Sequence, residues 1–262
     1  MMGAAPELVV ASSAARLADD VAARLVAALI SAQQVRPLAH LGLTAGGILE
    51  QVVGALREAP ARDSVDWSRV ALWWGDERWV PSDSLDRNDT ALLRADLEAL
   101  PLDPRNVHRM PASDGAYGED AEAAAEGYAA ELAAAVPVGE ADDDLPHFDV
   151  MLLGVGPDGH CASLFPEHPG VYELDASVIA VYNSPKPPPT RLSLTFRSLD
   201  AANEVWFVAA GTGKANAVRM AWSGAGRVQV PAAGPRGRYR TLWLIDRDAA
   251  SHLPSDLYRP QA

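Results

Sequence analysis

HFDVMLLGVGPDGHCASLFP, residues 147–166, changes character at its middle. Its first half holds an apolar run, Phe148 to Leu153, short and sharply bounded, as a buried strand is. A turn follows at once. Gly154, Gly156 and Gly159 free the backbone for positive φ and close approach, and Pro157 stiffens the bend between them. Asp158 and His160 then stand just past the strand's carboxyl end, where open α/β sheets place their ligands. Histidine titrates near neutral pH, so His160 is a candidate general base with Asp158 beside it. The same Asp-x-His would also serve as a hydrogen-bonded turn, and these residues alone leave both readings open.

The flanking chain alternates strand and helix. Glu7 to Ser12 reads as a strand, and Ala14 to Gln34 as an amphipathic helix with Leu17, Val21, Leu25 and Leu29 on one face. Leu38 to Thr44 is a second strand, running into Ala45-Gly46-Gly47 and the helical spacing of Ile48, Leu49, Val52, Val53 and Leu56. Backbone N–H groups at such a helix start can hold an anion, and glycines there also serve turn geometry alone. Trp67 to Trp74 is predicted as a strand. The charged run Asp76-Glu77-Arg78 at its end reads as a loop, either solvated or functional, continuing to Arg87-Asn88. Helices are predicted over Thr90 to Leu100 and, as a solvent-facing cover with an apolar stripe, over Tyr117 to Val136, with a short strand at Val107 to Met110 between them.

Beyond the central stretch, Ser177 to Tyr182 is a strand. Ser184 to Arg191 is a stiff proline-rich segment that cannot be helical. Leu192 to Phe196 and Glu204 to Ala210 are strands, separated by a short turn or helix at Arg197 to Ala202. The second of these strands ends in Gly211-Thr212-Gly213-Lys214 at a helix start, without the spacing of a Walker A motif. Thr241 to Asp246 is the last strand. The expectation is an α/β fold, a mainly parallel sheet covered on both faces.

No linker divides the 262 residues, so a single domain over 1–262 is expected. Thirty-five acidic against 22 basic residues, net charge −13, argue against nucleic acid and anionic membrane as partners. An anionic small substrate would need a local basic pocket, which makes Arg78, Arg191 and Lys214 informative. No apolar run approaches the roughly 20 residues of a membrane span. The amino-terminal MMGAAPELVVASSAA lacks a signal peptide's basic and apolar regions, so a cytoplasmic protein is expected. The one cysteine, Cys161, excludes an intrachain disulfide framework and a multi-cysteine metal site, and its place beside His160 raises a thiol nucleophile as a possibility. Asp142, Asp143 and Asp144 read as a solvated loop rather than a metal site.

Five blocks together resemble the glucosamine-6-phosphate isomerase/6-phosphogluconolactonase family. They are Leu43-Thr44-Ala45-Gly46-Gly47, Trp74 to Pro81 with Arg87-Asn88, Gly154 to Pro166, Ser184-Pro185-Lys186-Pro187-Pro188 with Arg191, and Gly213-Lys214-Ala215. The first departs from the family's Ser-Gly-Gly-Ser-Thr-Pro by Thr44-Ala45 and Ile48-Leu49-Glu50, leaving mainly backbone donors there. The resemblance implies a single Rossmann-like three-layer α/β/α domain of the NagB/RpiA/CoA-transferase-like kind. It also implies hydrolysis of 6-phospho-D-glucono-1,5-lactone in the pentose phosphate pathway, with no metal and no organic cofactor. Carried onto this chain, His160 is the base and Asp158 its partner. Arg78, Arg191 and Lys214 hold the phosphate with Thr44, Gly46 and Gly47, and Asp76 meets a sugar hydroxyl. Lys186 is expected as a solvated loop lysine, Cys161 as a packed small residue, and the protein as a monomer or weak homodimer. An amino-sugar-phosphate deaminase or isomerase is the first alternative. That group would continue Asp-Gly-His with Ala-Phe-Asn-Glu-Pro, whereas Ala162-Ser163-Leu164-Phe165-Pro166 stands near that place here. The second alternative is a non-catalytic sugar-phosphate sensor, which would usually carry a DNA-binding helical segment.

Overall fold

The structure is a computed structural model that describes residues 5–95, 97–136 and 145–257. The reading of Asp142, Asp143 and Asp144 lies outside the described residues. In chain order the main elements are β1 (Glu7–Ala11), α1 (Ala14–Val35), β2 (Ala39–Leu43), α2 (Gly47–Glu58), β3 (Val70–Trp74), β4 (Asp76–Arg78), α3 (Asn88–Ala95), β5 (Val107–His108), α4 (Ala121–Ala134), β6 (Val150–Gly154), β7 (Val178–Val181), β8 (Arg191–Leu194), α5 (Phe196–Asp200), β9 (Glu204–Ala209), α6 (Ala215–Trp222) and β10 (Arg240–Asp246).

Seven strands form one sheet in the order β1-β10-β9-β6-β2-β3-β5, every pair parallel. β6 lies at its centre, and Val150, Met151, Leu152 and Leu153 are all fully buried. A strand covered on both faces has no polar side to display, which is why the run that marks it is continuously apolar. α1 begins at Ser13, whose hydroxyl accepts from Arg16 N, and turns its stripe of Leu17, Val21, Leu25 and Leu29 into the core beside α2. Helices on the sheet complete a three-layer α/β/α architecture. Among the described residues no helix is long and apolar enough to cross a membrane.

The expectation from sequence differs from the structure in three places. Trp67–Arg69 is a 3-10 turn, its start capped by Asp66, so the third strand begins only at Val70. The charged run Asp76–Arg78 is a strand, not a loop. It pairs antiparallel with β8, and β8 pairs antiparallel with β7, making a second, three-stranded sheet. β7 and β8 cannot be parallel neighbours, because parallel neighbours need a crossover of roughly a dozen residues or more. The proline segment between them is closed by Ser184 N donating to Pro189 O at 2.9 Å. α4 starts at Ala121, capped by Asp120, rather than at Tyr117, and packs its expected apolar stripe against β7 and β8. Its Tyr128 hydroxyl accepts from Trp74 N at 3.0 Å and donates to His108 O at 3.1 Å.

Candidate active site

A cleft of about 240 Å³ opens at the carboxyl ends of β2, β6 and β9, with β4 forming one wall. His160, Asp76, Arg78, Lys186, Arg191 and Lys214 all line it, although they come from four separate parts of the chain. A larger hollow of about 450 Å³ lies against α1 at the other end of the strands. It contains none of these groups, and its cations Arg36 and Arg240 are paired with Asp149 and Glu7.

Beyond β6 the loop folds back on itself, Gly156 N donating to His160 O at 2.8 Å and Gly159 N to Gly156 O at 2.9 Å. Gly159 has φ +86°, and a Cβ on Gly156 would collide with the His160 ring and the Asp158 carboxylate, so both positions require glycine. The result is a fixed pair, with His160 Nδ1 2.5 Å from Asp158 Oδ1 and the Phe165 ring packed on the imidazole at 4.7 Å. Burial alone would raise the Asp158 carboxyl. The hydrogen bond from His160 and the positive charge of His160 and Lys186 outweigh it and hold Asp158 well below the usual carboxylate range. In the neutral imidazole that a base must be, the ionised carboxylate can only accept, so Nδ1 carries the proton and Nε2 is left as the acceptor.

Lys186 is not the solvated loop lysine expected from the sequence. Its Nζ stands 3.3 Å from Asp158 Oδ1 and 3.1 Å from His160 Nδ1. The segment carrying it is held by Arg191, 5% exposed, which donates from Nη2 to Lys186 O and Pro187 O, from Nε to Pro188 O and from Nη1 to Ser163 Oγ. Burial lowers the Arg191 pKa, Asp76 opposes that, and Arg78 adds to it.

On the facing wall Asp76 is buried with both oxygens engaged: Ser163 Oγ donates to Oδ2 at 2.7 Å and Asn88 Nδ2 to Oδ1 at 3.2 Å. Arg78 donates from Nη1 to Asp86 O at 2.7 Å. Arg78 Nε and Asn88 Oδ1, both buried in residues that line the cleft, have no hydrogen-bond partner among the described residues. Lys214, at the start of α6, is half-buried. Its Nζ makes no hydrogen bond or ion pair among the described residues, and burial, reinforced by Lys186 and opposed by Asp158, lowers its pKa. A cation and a donor left without partners in one cleft form a receptor for an anion.

Thr44 is buried and its hydroxyl is engaged inside the fold, accepting from Gly154 N at 2.9 Å and locking the end of β2 to the end of β6. Gly46, at φ +138°, caps α2 without a side chain. A Cβ on Gly46 or Gly47 would meet open space, and while Leu49 N and Glu50 N donate to Gly46 O, the N–H groups of Gly47 and Ile48 have no partner within the helix. Cys161 is fully buried and burial pushes its thiol up, so it supplies no thiolate. Among the described residues no group of three or more His, Cys, Asp or Glu could hold a metal ion.

Sequence reasoning passed over two residues of this wall. Asn88 and Ser163 each stood in a matching block without a role. Their signal was proximity to Asp76, which only the antiparallel pairing of β4 creates.

Comparison with known proteins agrees with this geometry. Residues 12–243 match the family model described as glucosamine-6-phosphate isomerases/6-phosphogluconolactonase. The 6-phosphogluconolactonase of Streptomyces coelicolor is 55% identical over 260 residues, covering 99% of each chain. That of Mycobacterium tuberculosis is 48% identical over 233 residues, 88% of this chain and 92% of its own. The crystallised 6-phosphogluconolactonase of Trypanosoma brucei superposes with a TM-score of 0.78 at 28% identity, over 95% of this chain and 99% of its own. The chain therefore belongs to the glucosamine-6-phosphate isomerase/6-phosphogluconolactonase family.

Proposed function

We propose that this chain hydrolyses 6-phospho-D-glucono-1,5-lactone to 6-phospho-D-gluconate, with His160 as the base that activates water. The observation that carries the reading is the Asp158–His160 pair, at a cleft that Lys214 and Arg78 also line. Asp158 holds the imidazole with Nδ1 protonated. Nε2 takes a proton from water, the water oxygen bonds to the lactone carbonyl carbon, and the carbonyl electron pair moves onto its oxygen. When that pair returns, the bond from the carbonyl carbon to the ring oxygen breaks, and the leaving oxygen takes the proton from Nε2. The new carboxylic acid ionises to solvent and the imidazole is neutral again.

Lys214, Arg78 and the N–H groups at Gly46 and Gly47 hold the distant phosphate, which positions the ring for attack. Thr44 contributes by fixing the Gly154 backbone, Arg191 by adding its charge from behind the wall. Asp76 orients Asn88 and Ser163, and Asn88 Oδ1 is left to accept from a sugar hydroxyl. The chemistry requires no metal and no organic cofactor. With a small substrate and a net charge of −13, the enzyme works in the cytoplasm as a monomer or weak homodimer.

The test uses freshly generated 6-phosphogluconolactone. Added protein should remove it faster than spontaneous hydrolysis at the same pH, and glucosamine 6-phosphate should release no ammonia. Release of ammonia with no acceleration of lactone loss would turn the reading over to the deaminase branch.

A further inference from the structure

Hydrolysis of a lactone puts negative charge on the former carbonyl oxygen, and donors aimed at that oxygen usually contribute the largest single part of the acceleration. Four backbone donors near the base are already engaged. Gly154 N donates to Thr44 Oγ1, Gly156 N to His160 O, Gly159 N to Gly156 O, and His160 N lies 3.5 Å from Asp158 Oδ1. The loop that supplies the base therefore does not supply an oxyanion hole from these four groups.

We propose that Lys186 is a catalytic residue, its ammonium donating to the oxyanion that forms when water held at His160 Nε2 attacks the carbonyl. Three observations carry this. Lys186 Nζ lies 3.1 Å from His160 Nδ1, on the Asp158 side of the ring, and lines the same cleft, so its flexible four-carbon stem has the substrate volume within reach. One N–H is directed at Asp158 Oδ1, at 3.3 Å, and an ammonium has three, so donors remain for the substrate. Its backbone is also positioned from both sides. Ser184 Oγ donates to Lys186 O at 2.9 Å and accepts from Lys186 N at 3.3 Å, while the buried Arg191 holds the carbonyls of Lys186, Pro187 and Pro188. A fully charged, buried guanidinium bonded to three successive carbonyls fixes the segment, and the one side chain that this segment extends toward the base is Lys186. Arg191 is in this sense a positioning residue for Lys186. The ammonium is attracted by ionised Asp158, so it is pre-set before substrate arrives, as an electrostatic catalyst must be.

The proposal rests on the lactone-hydrolysis reading, and the experiment separates the two. Wild type, Lys186→Met and Lys186→Arg are assayed on 6-phosphogluconolactone and on unphosphorylated δ-gluconolactone, with spontaneous hydrolysis subtracted, and 6-phosphogluconate binding is measured by calorimetry. Lys186→Met should lose about 10²- to 10³-fold in kcat, the size of a lost oxyanion donor. Product affinity and the ratio of kcat/KM between the two lactones should stay within about threefold of wild type, because the loss is confined to the transition state. Lys186→Arg, which keeps the charge, should retain more activity than Lys186→Met. A second variant guards against misfolding: Lys186→Cys, alkylated by 2-bromoethylamine, regains a lysine-like amine as its sulfur displaces bromide. Wild type serves as the control, its buried Cys161 being shielded from the reagent. Recovery of at least about tenfold in kcat supports the assignment, since only the amine has been restored. Three outcomes would overturn it: kcat of Lys186→Met within about threefold of wild type, no recovery on complete alkylation, or a loss that falls on KM and collapses the ratio between the lactones. The last would make Lys186 a phosphate ligand. Failure of wild type itself to accelerate lactone loss would instead refute the lactone-hydrolysis reading.

Discussion

A half-buried ammonium with no partner is costly unless a ligand supplies one, and among the described residues Lys214 is in that position. Its replacement should therefore be felt by phosphorylated substrate alone. Lys214→Ala is expected to lower kcat/KM for 6-phosphogluconolactone by about 10- to 150-fold, the worth of one desolvated charge-assisted contact, and to leave unphosphorylated gluconolactone nearly untouched. Steady-state rates on both lactones check it, and equal losses would show that Lys214 serves the fold or the chemistry. The placement of Lys214, His160 and Asp158 was legible from sequence because glycines and a strand end surround each of them. The contacts that Lys186 and Arg191 make were not. Sequence shows that both are cations beside prolines, but the donors of Arg191 are engaged by a turn that forms only once β7 and β8 pair. Which of two nearby cations faces the base is likewise settled by tertiary contacts.

The element least legible in the sequence was β4. Three charged residues after an apolar run look like solvent-facing loop, yet Glu77 is fully buried. Its carboxylate accepts from Arg78 N at 2.7 Å and Asn88 N at 2.6 Å through Oε1, and from Asp89 N at 2.9 Å through Oε2, so it caps α3 from within. Arg87, 2% exposed, pairs with Asp89 at 3.0 Å, lies 3.6 Å from Glu77, and donates to Met110 O at 2.7 Å. Burial pushes the Glu77 carboxyl up, to about 7, and Arg87 acts against that shift. This buried network is what presents Arg78 and Asn88 to the cleft. Arg87→Met should destabilise the protein by about 3 to 5 kcal/mol, because two buried carboxylates lose their counter-charge. Urea unfolding monitored by tryptophan fluorescence measures it, and a loss under about 1 kcal/mol would show that the network relaxes without Arg87.

At the scale of the molecule, the parallel sheet gathers distant sequence at one rim. β2, β6 and β9 all end at the cleft, bringing Thr44, Gly154 and the loop to Lys214 together across about 170 residues, as open α/β sheets do. The alternation of apolar runs with helical spacing made that sheet legible, since strands buried on both faces leave a strong signal. The small antiparallel sheet was not legible, because β4 and β8 are short, carry Arg78 and Arg191, and pair across more than 100 residues of intervening chain. Across both sheets, the functional account converges on one imidazole. Its most direct test is kcat for His160→Asn on fresh 6-phosphogluconolactone, corrected for spontaneous hydrolysis at each pH, with 6-phosphogluconate binding measured on the same preparation. A positioned general base contributes about 10²- to 10⁴-fold, so kcat should fall by that factor while product still binds. A corrected kcat within about threefold of wild type would contradict the account, because the water would then be activated by a group other than His160.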